Sequence, residues 1–211
     1  MSKQLSQKVI ERLTLYHCIL IDRLEKGEVT ISSPRIAELL KIDDSQVRKD
    51  LRLLNNSGRC KVGYDMAELR ASIEKTLGFE EPKDAFIVGA GNLGFALAKY
   101  DNFTDYGLNI LALFDNDPLR IGATVNGKEI FHISKLQNLV QRLNVEIAIL
   151  TVPRQVAQEV AEILVSAGIK LIWNFSPTVL TVPDTVQVWN ENLIGNFLRF
   201  TVHYKDGKNE G

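Results

Sequence analysis

The chain has 211 residues, of which 45% are hydrophobic and 24% are charged, a balance typical of a soluble globular protein. No uninterrupted apolar stretch has membrane-spanning length, and the polar amino terminus lacks a signal-peptide pattern, which argues against a membrane or exported protein. Two cysteines, Cys18 and Cys60, are too few for a disulfide framework, so we expect a cytoplasmic protein with reduced thiols.

Charge is divided unevenly along the chain, although the formal net charge is only −1. Residues 1–78 hold 14 Lys and Arg against 11 Asp and Glu, whereas residues 79–211 hold 11 against 15. The asymmetry predicts a mildly basic domain with a polyanionic partner, joined to an acidic domain. We place the two domains at residues 1–78 and 84–190, with a linker at 79–83 and a carboxy-terminal helix and tail at 191–211.

The first domain has the pattern of a helix-turn-helix. Apolar residues at helical spacing predict a helix from Val9 to Leu24, and Ser32-Ser33-Pro34 provides a cap for a second helix. A third helix is predicted over residues 45–54, with a buried stripe and a mostly basic outer face. In helix-turn-helix proteins such a helix enters the major groove of DNA, whereas a solvated basic face is the plainer interpretation. The candidate DNA-binding side chains on this helix are Gln46, Arg48, Lys49 and Arg52.

A short basic segment from Gly58 to Tyr64 follows the third helix. It is typical of the wing of a winged helix, which reaches phosphates or the minor groove, and a plain turn is the alternative. Its candidate DNA contacts are Arg59, Lys61 and Tyr64. A further helix from Met66 to Leu77 completes the domain.

The second domain opens with a glycine motif between a strand and a helix. The buried-strand pattern Phe86-Ile87-Val88 leads into Gly89-Ala90-Gly91-Asn92-Leu93-Gly94, and a helical pattern follows. In a G-x-G-x-x-G motif the first glycine allows a tight turn, the second lets a pyrophosphate approach, and the third lets helix and strand pack closely. Strands and helices alternate from residue 84 onward, which predicts a Rossmann-type, doubly wound parallel sheet of the α/β class.

An acidic residue, Asp115, ends the next apolar strand, at the position that accepts bonds from a ribose in dinucleotide-binding folds. A carboxylate there favours NAD(H) over NADP(H), because it repels a 2′-phosphate. Asp115 also opens the turn Asp115-Asn116-Asp117-Pro118, and this is the alternative explanation for it. Arg120 lies close to Asp115 in the sequence, and because a nearby Arg can accommodate a 2′-phosphate, it weakens the preference for NAD(H).

Two later strands end in polar loops, Thr151-Val152-Pro153 and Asn174-Phe175-Ser176. Ligands of open α/β sheets bind outside the carboxyl ends of the strands, so both loops are candidates for the nicotinamide and ribose side. Ordinary strand-end loops are the alternative.

Acid–base machinery is sparse. His17 lies in the predicted first helix and His203 in the carboxy-terminal helical segment, and no Lys, Asp or Tyr is paired with His132 at catalytic spacing. No obvious substrate domain follows residue 177. We therefore expect a sensor rather than an enzyme, and no metal site. The apolar segment from Asn192 to Tyr204 is expected to pack against a second copy of the chain, or else on its own sheet.

Taken together, these residues resemble the Rex family of redox-sensing transcriptional repressors over nearly the whole chain. The resemblance implies a homodimer that binds palindromic operator DNA, releases it when NADH binds, and swaps its carboxy-terminal helix between subunits. It further implies that Tyr100 and Asn116 belong to the cofactor site, and that Ser33 and Ser45 belong to the DNA-binding set. The matching stretches are Arg12-Leu13, Ser32-Ser33, residues 45–51, Val62-Gly63-Tyr64, residues 89–94, residues 114–118, residues 151–154 and residues 174–177.

Three features depart from the family pattern. Cys18 stands where the family often has Arg, and Asn192 stands where it often has Asp, so a charged pair expected in the DNA-bound dimer is missing. The helix end and wing also differ, at Leu53-Leu54-Asn55 and Cys60-Lys61. Two other functions are compatible with the fold: an NAD-dependent oxidoreductase, or a regulator that binds CoA or another nucleotide.

Overall fold

The computed structural model describes residues 5–54 and 63–206, with the backbone alone for Phe200 and residues 203–206. The chain divides between Glu81 and Pro82 into two compact units, called here the first and second units. The predicted linker overlaps the start of the second unit, because the first strand of its sheet begins at Lys83.

The first unit is built from four helices and a two-stranded antiparallel sheet. Its core is formed by apolar side chains at helical spacing, such as Leu13 and Leu20 on the first helix and Leu69 and Ile73 on the last, all fully buried. The elements are α1 (Gln7–Glu25), β1 (Thr30–Ile31), α2 (Ser33–Leu40), α3 (Asp44–Leu53), β2 (Tyr64–Asp65) and α4 (Met66–Leu77).

Capping residues set the ends of the helix pair α2 and α3. The Ser32 hydroxyl accepts a hydrogen bond from the Arg35 N–H at 3.3 Å, and the Asp43 carboxylate accepts one from the Ser45 N–H at 2.7 Å. Lys41 ends α2 in the left-handed region with φ at +53°, which turns the chain sharply toward α3. The predicted helix-turn-helix is therefore present, with α3 beginning one residue earlier than expected.

The second unit is a seven-stranded sheet with helices on both faces. The strand order is β5-β6-β4-β3-β7-β8-β9, and every pair except β5–β6 is parallel. The six parallel strands follow the order 3-2-1-4-5-6 of a Rossmann fold, as predicted. The strands are β3 (Lys83–Val88), β4 (Leu108–Asp115), β5 (Thr124–Val125), β6 (Lys128–His132), β7 (Ile147–Leu150), β8 (Leu171–Asn174) and β9 (Gln187–Asn190).

Each face of the sheet has its own apolar core, because successive side chains of a strand point to opposite faces. On β3, Phe86 and Val88 pack into the core beneath α6 and α7, whereas Ala85 and Ile87 pack into the core beneath α5. The helices are α5 (Asn92–Ala98), α6 (Leu136–Leu143), α7 (Arg154–Ala167) and α8 (Leu193–Asp206), with 3-10 turns at Asp101–Tyr106 and Ile133–Lys135.

One strand departs from the predicted all-parallel sheet. β5 pairs antiparallel with β6 through a two-residue turn at Asn126-Gly127, where φ is +50° and +75°. Asn-Gly is the residue pair that such a tight hairpin favours, because both positions need positive φ. The hairpin forms one edge of the sheet, and its Asn-Gly signal is legible in the sequence although the prediction above did not include it.

At the other edge of the sheet, β9 leads into α8. Five apolar side chains among the described ones of α8 are each more than half exposed: Leu193, Ile194, Phe197, Leu198 and Val202. Among the helices within the described residues, none combines the length and the apolar character needed to cross a bilayer. Within the same residues, no three His, Cys, Asp or Glu side chains are grouped so as to hold a metal ion.

Candidate functional site

The glycine loop after β3 places its three glycines in three different environments. Gly89 has φ at +106°, and a Cβ there would lie 2.9 Å from the Thr151 backbone. A Cβ at Gly94 would lie 2.0 Å from the carbonyl oxygen of Gly89, so helix and strand could not pack as they do. At Gly91 the position that a Cβ would take is open, with nothing within 4 Å of it. The environments of Gly89 and Gly94 agree with the predicted tight turn and helix packing, and the open position at Gly91 leaves the predicted approach of a ligand possible.

Thr151 joins the end of β7 to the glycine loop. Its hydroxyl donates to the Gly89 carbonyl oxygen at 2.7 Å, and its N–H donates to the Val88 carbonyl oxygen at 2.8 Å. β3 and β7 are the neighbours at which the strand order reverses, which is where Rossmann-type sheets bind ligands. The hydroxyl of Thr151 thus helps to set the shape of the loop.

The Asp115 carboxylate at the end of β4 accepts hydrogen bonds from both sides. One oxygen accepts from the N–H groups of Asn116 and Asp117 at 2.7 and 2.9 Å. The other accepts from the Ala90 N–H at 2.7 Å and from the Arg120 guanidinium at 3.1 Å. Asp115 therefore opens the turn and also faces the glycine loop, while its role toward a ribose stays a prediction.

The pKa of Asp115 reflects this environment. Burial opposes ionisation, but the N–H groups of Asp117 and Ala90 and the Arg120 guanidinium together hold the pKa below its usual value. The group is a carboxylate at neutral pH, and its negative charge would repel a phosphate.

A cleft of about 600 Å³ opens between these elements, within the size range of small-molecule and cofactor sites. Eight of the predicted cofactor residues line it: Gly89, Gly91, Asp115, Asn116, Thr151, Val152, Pro153 and Phe175. The residues that line the cleft but were not predicted from the sequence include Ile133, Glu159 and Ile163. The signal available for the α7 residues was helical spacing, because Val156, Glu159 and Ile163 share one face of α7.

The apolar side chains of Ile133, Val156 and Ile163 suit the flat ring of a nucleobase. The glycine loop and Asp115 suit the phosphates and the ribose of a nucleotide. The titratable side chains in the cleft are Asp115, Arg120 and Glu159.

The other predicted cofactor residues do not line the cleft. Asn174 is fully buried: its amide donates to the Thr178 carbonyl oxygen and to the Asn190 side chain, at 2.9 and 2.8 Å. The buried Ser176 hydroxyl donates to the Val152 carbonyl oxygen at 2.7 Å. Both side chains hold the loops that carry Phe175 and Val152. The remaining predicted residues lie around the start and end of α5: Ala90 and Gly94 are buried, and Asn92, Leu93 and Tyr100 are exposed.

In the first unit, α3 presents a polar surface. Ser45, Lys49 and Arg52 are exposed, while Val47 and Leu51 on the opposite face are fully buried. The predicted surface cations are therefore placed on one exposed face, as a groove-binding helix requires.

Three of the predicted DNA-binding residues are also engaged within the protein. The Arg48 guanidinium donates to the hydroxyl of the buried Ser33 at 3.3 Å and pairs with Asp44. The Gln46 amide donates to the Asp50 carboxylate at 2.9 Å.

Asp50 anchors α3 to α1. Its buried carboxylate accepts two bonds from Arg12, at 2.6 and 2.9 Å, and one from the Tyr16 hydroxyl at 2.8 Å. Burial opposes the charge of Asp50, but the bonds from Arg12, Tyr16 and Gln46 lower its pKa below the usual value. The sequence showed no role for Asp50, because its partners on α1 lie more than thirty positions away along the chain.

Most of the predicted wing, including Arg59 and Lys61, lies outside the described residues. Tyr64 is half-buried in β2, where it pairs with Ile31 of β1. Asn192 caps the following turn of α8, since its side-chain oxygen accepts the Gly195 N–H at 2.7 Å. Cys18 lies on the exposed side of α1.

Comparison with known proteins matches both units. Residues 80–178 match the family model of the CoA binding domain, and residues 4–51 match the model described as "Putative DNA-binding protein N-terminus". A redox-sensing transcriptional repressor Rex from Desulfitobacterium hafniense is 42% identical over 92% of this chain and 92% of its own. The Rex repressor of Clostridioides difficile is 39% identical over 98% of this chain and 99% of its own.

Comparison with solved structures also finds Rex-family repressors, over nearly the full length of this chain. A crystal structure of RSP, a Rex-family repressor, in complex with β-NAD+ and operator DNA superposes with a TM-score of 0.86. It is 36% identical and covers 99% of this chain and 95% of that chain. The RSP complex with β-NADH gives a TM-score of 0.85 at the same identity, with 99% and 97% covered. With a Rossmann-type second unit, a helix-turn-helix in the first and relatives of this identity along nearly its whole length, the chain belongs to the Rex family of redox-sensing transcriptional repressors.

Proposed function

We propose that this chain binds a palindromic DNA operator as a homodimer and leaves it when NADH occupies the cleft of the second unit. The observation that carries the proposal is the presence, in one chain, of an exposed cationic face on α3 and a cleft formed by the glycine loop and Asp115. The structures of the relative RSP support both parts of the proposal, since one contains β-NAD+ with operator DNA and another contains β-NADH.

The cleft residues fit a dinucleotide. Gly91 leaves the space that a pyrophosphate needs, and Asp115 is the acceptor for a ribose hydroxyl. The apolar group of Ile133, Val156 and Ile163 would hold the adenine ring. When bound, the nicotinamide ring supplies the redox signal, since its oxidised and reduced forms differ in charge and planarity.

DNA binding is assigned to α3. Lys49 and Arg52 would neutralise phosphates, and Ser45 and Arg48 lie near the amino-terminal end that contacts base edges in helix-turn-helix proteins. Two copies of α3, related by a twofold axis, would read the two halves of a palindrome. The apolar side chains of α8 supply the surface over which two chains would associate. A repressor acts at the chromosome, and we accordingly propose a cytoplasmic location.

We infer that the cleft senses its ligand rather than turning it over. Among its titratable side chains, Asp115 and Arg120 bond to each other at 3.1 Å, and Asp115 is kept ionised by the surrounding N–H groups. A hydride transfer to a carbonyl group needs a positioned general acid or base, and the pairing of Asp115 with Arg120 leaves Asp115 poorly suited to donate a proton. The oxidoreductase alternative predicts consumption of NADH with a carbonyl substrate.

A CoA-binding regulator is the second candidate, and the match of residues 80–178 to the CoA binding domain favours it. CoA carries a phosphorylated ribose, however, which the Asp115 carboxylate would repel. We therefore expect NADH to compete well against CoA for the cleft.

The test is a fluorescence-anisotropy titration of a labelled palindromic duplex with the purified protein. NADH should release the duplex at lower concentration than NAD+ or CoA. Binding should fall steeply as salt increases, because phosphate contacts release counterions. Failure to distinguish the palindrome from bulk duplex would contradict the repressor assignment, and release by CoA at lower concentration than by NADH would favour the second candidate.

A further inference from the structure

A row of aromatic side chains runs from the cleft across one face of the sheet. Phe175 lines the cleft, and its ring centroid is 4.9 Å from that of Trp173 in β8. The Trp173 ring lies 6.0 Å from Phe103, whose ring lies 4.9 Å from Tyr100. These four side chains form what we call the aromatic row. Because they pack at contact distance, a displacement of the Phe175 ring cannot leave Trp173 where it is.

The polar edge of Trp173 connects this row to the start of α8. The Trp173 indole N–H donates to the Glu191 carboxylate at 2.9 Å, and the Trp189 indole donates to the same oxygen at 3.1 Å. The Glu191 N–H also donates to the Asn174 carbonyl oxygen at 2.8 Å. Asn192, the next residue, caps α8. The position of the first turn of α8 thus depends on Glu191, and Glu191 is bonded to the side chain that packs on the cleft wall.

We propose that Trp173 is a positioning residue that couples occupancy of the cleft at Phe175 to the orientation of α8, through Glu191. The inference rests on the proposed function for the identity of the ligand, NADH. A ligand shifts a conformational equilibrium only by binding one arrangement better than the other. Contact with Phe175 supplies that difference on the cleft side, and the bond from Trp173 to Glu191 transmits it to the helix that we assign to the dimer contact.

The variant that tests this is Trp173→Leu, which removes the ring contacts and the N–H while keeping an apolar side chain. The matched control is Trp189→Leu, which removes the other indole bonded to Glu191 but leaves the aromatic row intact. The measured quantity is the ratio of operator affinities without and with saturating NADH. We expect Trp173→Leu to lower this ratio at least about fivefold, the lower end of ordinary coupling between sites. NADH affinity and NADH-free operator affinity should both stay within about twofold of wild type, which a merely structural loss would not allow. Trp189→Leu should keep the wild-type ratio.

Two further variants test the route through residue 191. Glu191→Leu should reproduce Trp173→Leu, whereas Glu191→Gln keeps an oxygen acceptor and should behave as wild type. If Trp173→Leu does not fold, Trp173→Phe keeps a ring and removes only the N–H, and it should still lower the ratio. An unchanged ratio in the folded Trp173 and Glu191→Leu variants would overturn the inference.

Hydrogen exchange of the backbone amides of residues 193–199 provides a readout that does not involve DNA. NADH should change the exchange rates in wild type and in Trp189→Leu, but not in Trp173→Leu. Equal responses in all three proteins would overturn the coupling through Trp173 and leave the proposed function standing. If NADH binds wild type without changing operator affinity, the proposed function fails, and exchange alone decides the coupling. If NADH does not bind wild type, both fail.

Discussion

Gly91 and Gly94 are three residues apart in one loop but are glycine for different reasons. At Gly94 the protein itself excludes a side chain, because a Cβ would meet the Gly89 carbonyl oxygen. At Gly91 the protein would accept a side chain, since the backbone has φ at −83° and nothing lies within 4 Å of the Cβ position. We therefore propose that a bound pyrophosphate, and not the protein, accounts for the glycine at position 91.

We expect Gly91→Val to weaken NADH binding at least about tenfold, which needs only about 1.4 kcal/mol. The melting temperature should change little, because the new side chain meets open space. Gly94→Ala is the contrasting variant and should lower the melting temperature. Fluorescence titration with NADH and thermal unfolding of both variants provide the check, and unchanged NADH affinity in Gly91→Val would contradict the site assignment.

We propose that Asp115 controls the choice between NADH and NADPH. Replacing it by Ser removes the charge that repels a 2′-phosphate and frees Arg120 from its ion pair at 3.1 Å. We expect the ratio of NADPH to NADH affinity to increase at least about tenfold. Asp117→Asn is the control, because Asp117 pairs with Arg120 at 3.3 Å without lining the cleft. A preference that does not change in Asp115→Ser would show that the carboxylate does not face the ribose.

The candidate site was predictable from the sequence only where function depends on local spacing. The glycine loop and Asp115 are separated by one strand and one helix, so their positions relative to each other follow from the motif. Asn174 and Ser176 looked equally suitable as polar residues at a strand end, yet both use their hydrogen bonds within the protein. Glu159 lines the cleft from a helix with no motif of its own. Such distinctions depend on burial, which one sequence does not reveal.

At the scale of elements, the placement of α3 depends on one buried carboxylate. Asp50 joins α3 to α1 through Arg12 and Tyr16, and the same carboxylate holds Gln46. A buried charge is tolerated only when it is paired, so removing the charge of Asp50 leaves Arg12 without its anionic partner. The exposed face of α3 is therefore oriented by contacts on its opposite face.

We expect Asp50→Asn to lower the free energy of unfolding by about 2–3 kcal/mol at neutral pH. The pKa of Asp50 is lowered by folding, so its contribution is present above the unfolded pKa, near 4, and is lost as the pH falls through the lower folded value. Between about pH 4 and pH 2 the stability of the variant should therefore fall less steeply than that of wild type. Urea unfolding across this range measures both slopes, and parallel slopes would contradict the role of Asp50.

A separate prediction concerns DNA binding by the exposed face of α3. Arg48→Ala and Lys49→Ala should each weaken operator binding, and loss of a phosphate contact should reduce the salt slope by about one. Lys26→Ala is the control, because it removes an exposed cation of the first unit that follows α1 and pairs with Asp22. Anisotropy titrations at several salt concentrations distinguish these variants. An equal effect of Lys26→Ala would indicate nonspecific attraction rather than binding through α3.

At the scale of the whole molecule, the fold class and the family were predicted correctly, since alternating strands and helices limit the possible topologies. The small hairpin of β5 and β6 was not predicted: β5 has only two residues, and the Asn126-Gly127 turn was the one local signal for it. The departures at Cys18 and Asn192 are single-residue differences, but the charged pair that they replace is expected in the dimer.

The uncharged residues Cys18 and Asn192 lack the charged pair that the family resemblance implies for the DNA-bound state. We expect NADH still to release DNA, and we expect Cys18→Arg combined with Asn192→Asp to change the NADH concentration required. The two substitutions should be non-additive, because each alone introduces an unpaired charge. A double-mutant cycle on the midpoint of DNA release measures the interaction. Additive effects would show that the two positions do not meet in the dimer.

The edge of the sheet at β9 and the apolar side chains of α8 have a consequence for the newly made protein. A single chain exposes the edge strand β9 shortly before Leu193, Ile194 and Phe197 on α8. An unpaired strand edge beside exposed apolar groups is the usual starting point of aggregation. Since association would cover these groups, the yield of functional repressor in the cell should depend on how soon two nascent chains meet, and at low synthesis rates it should depend on chaperones that shield α8.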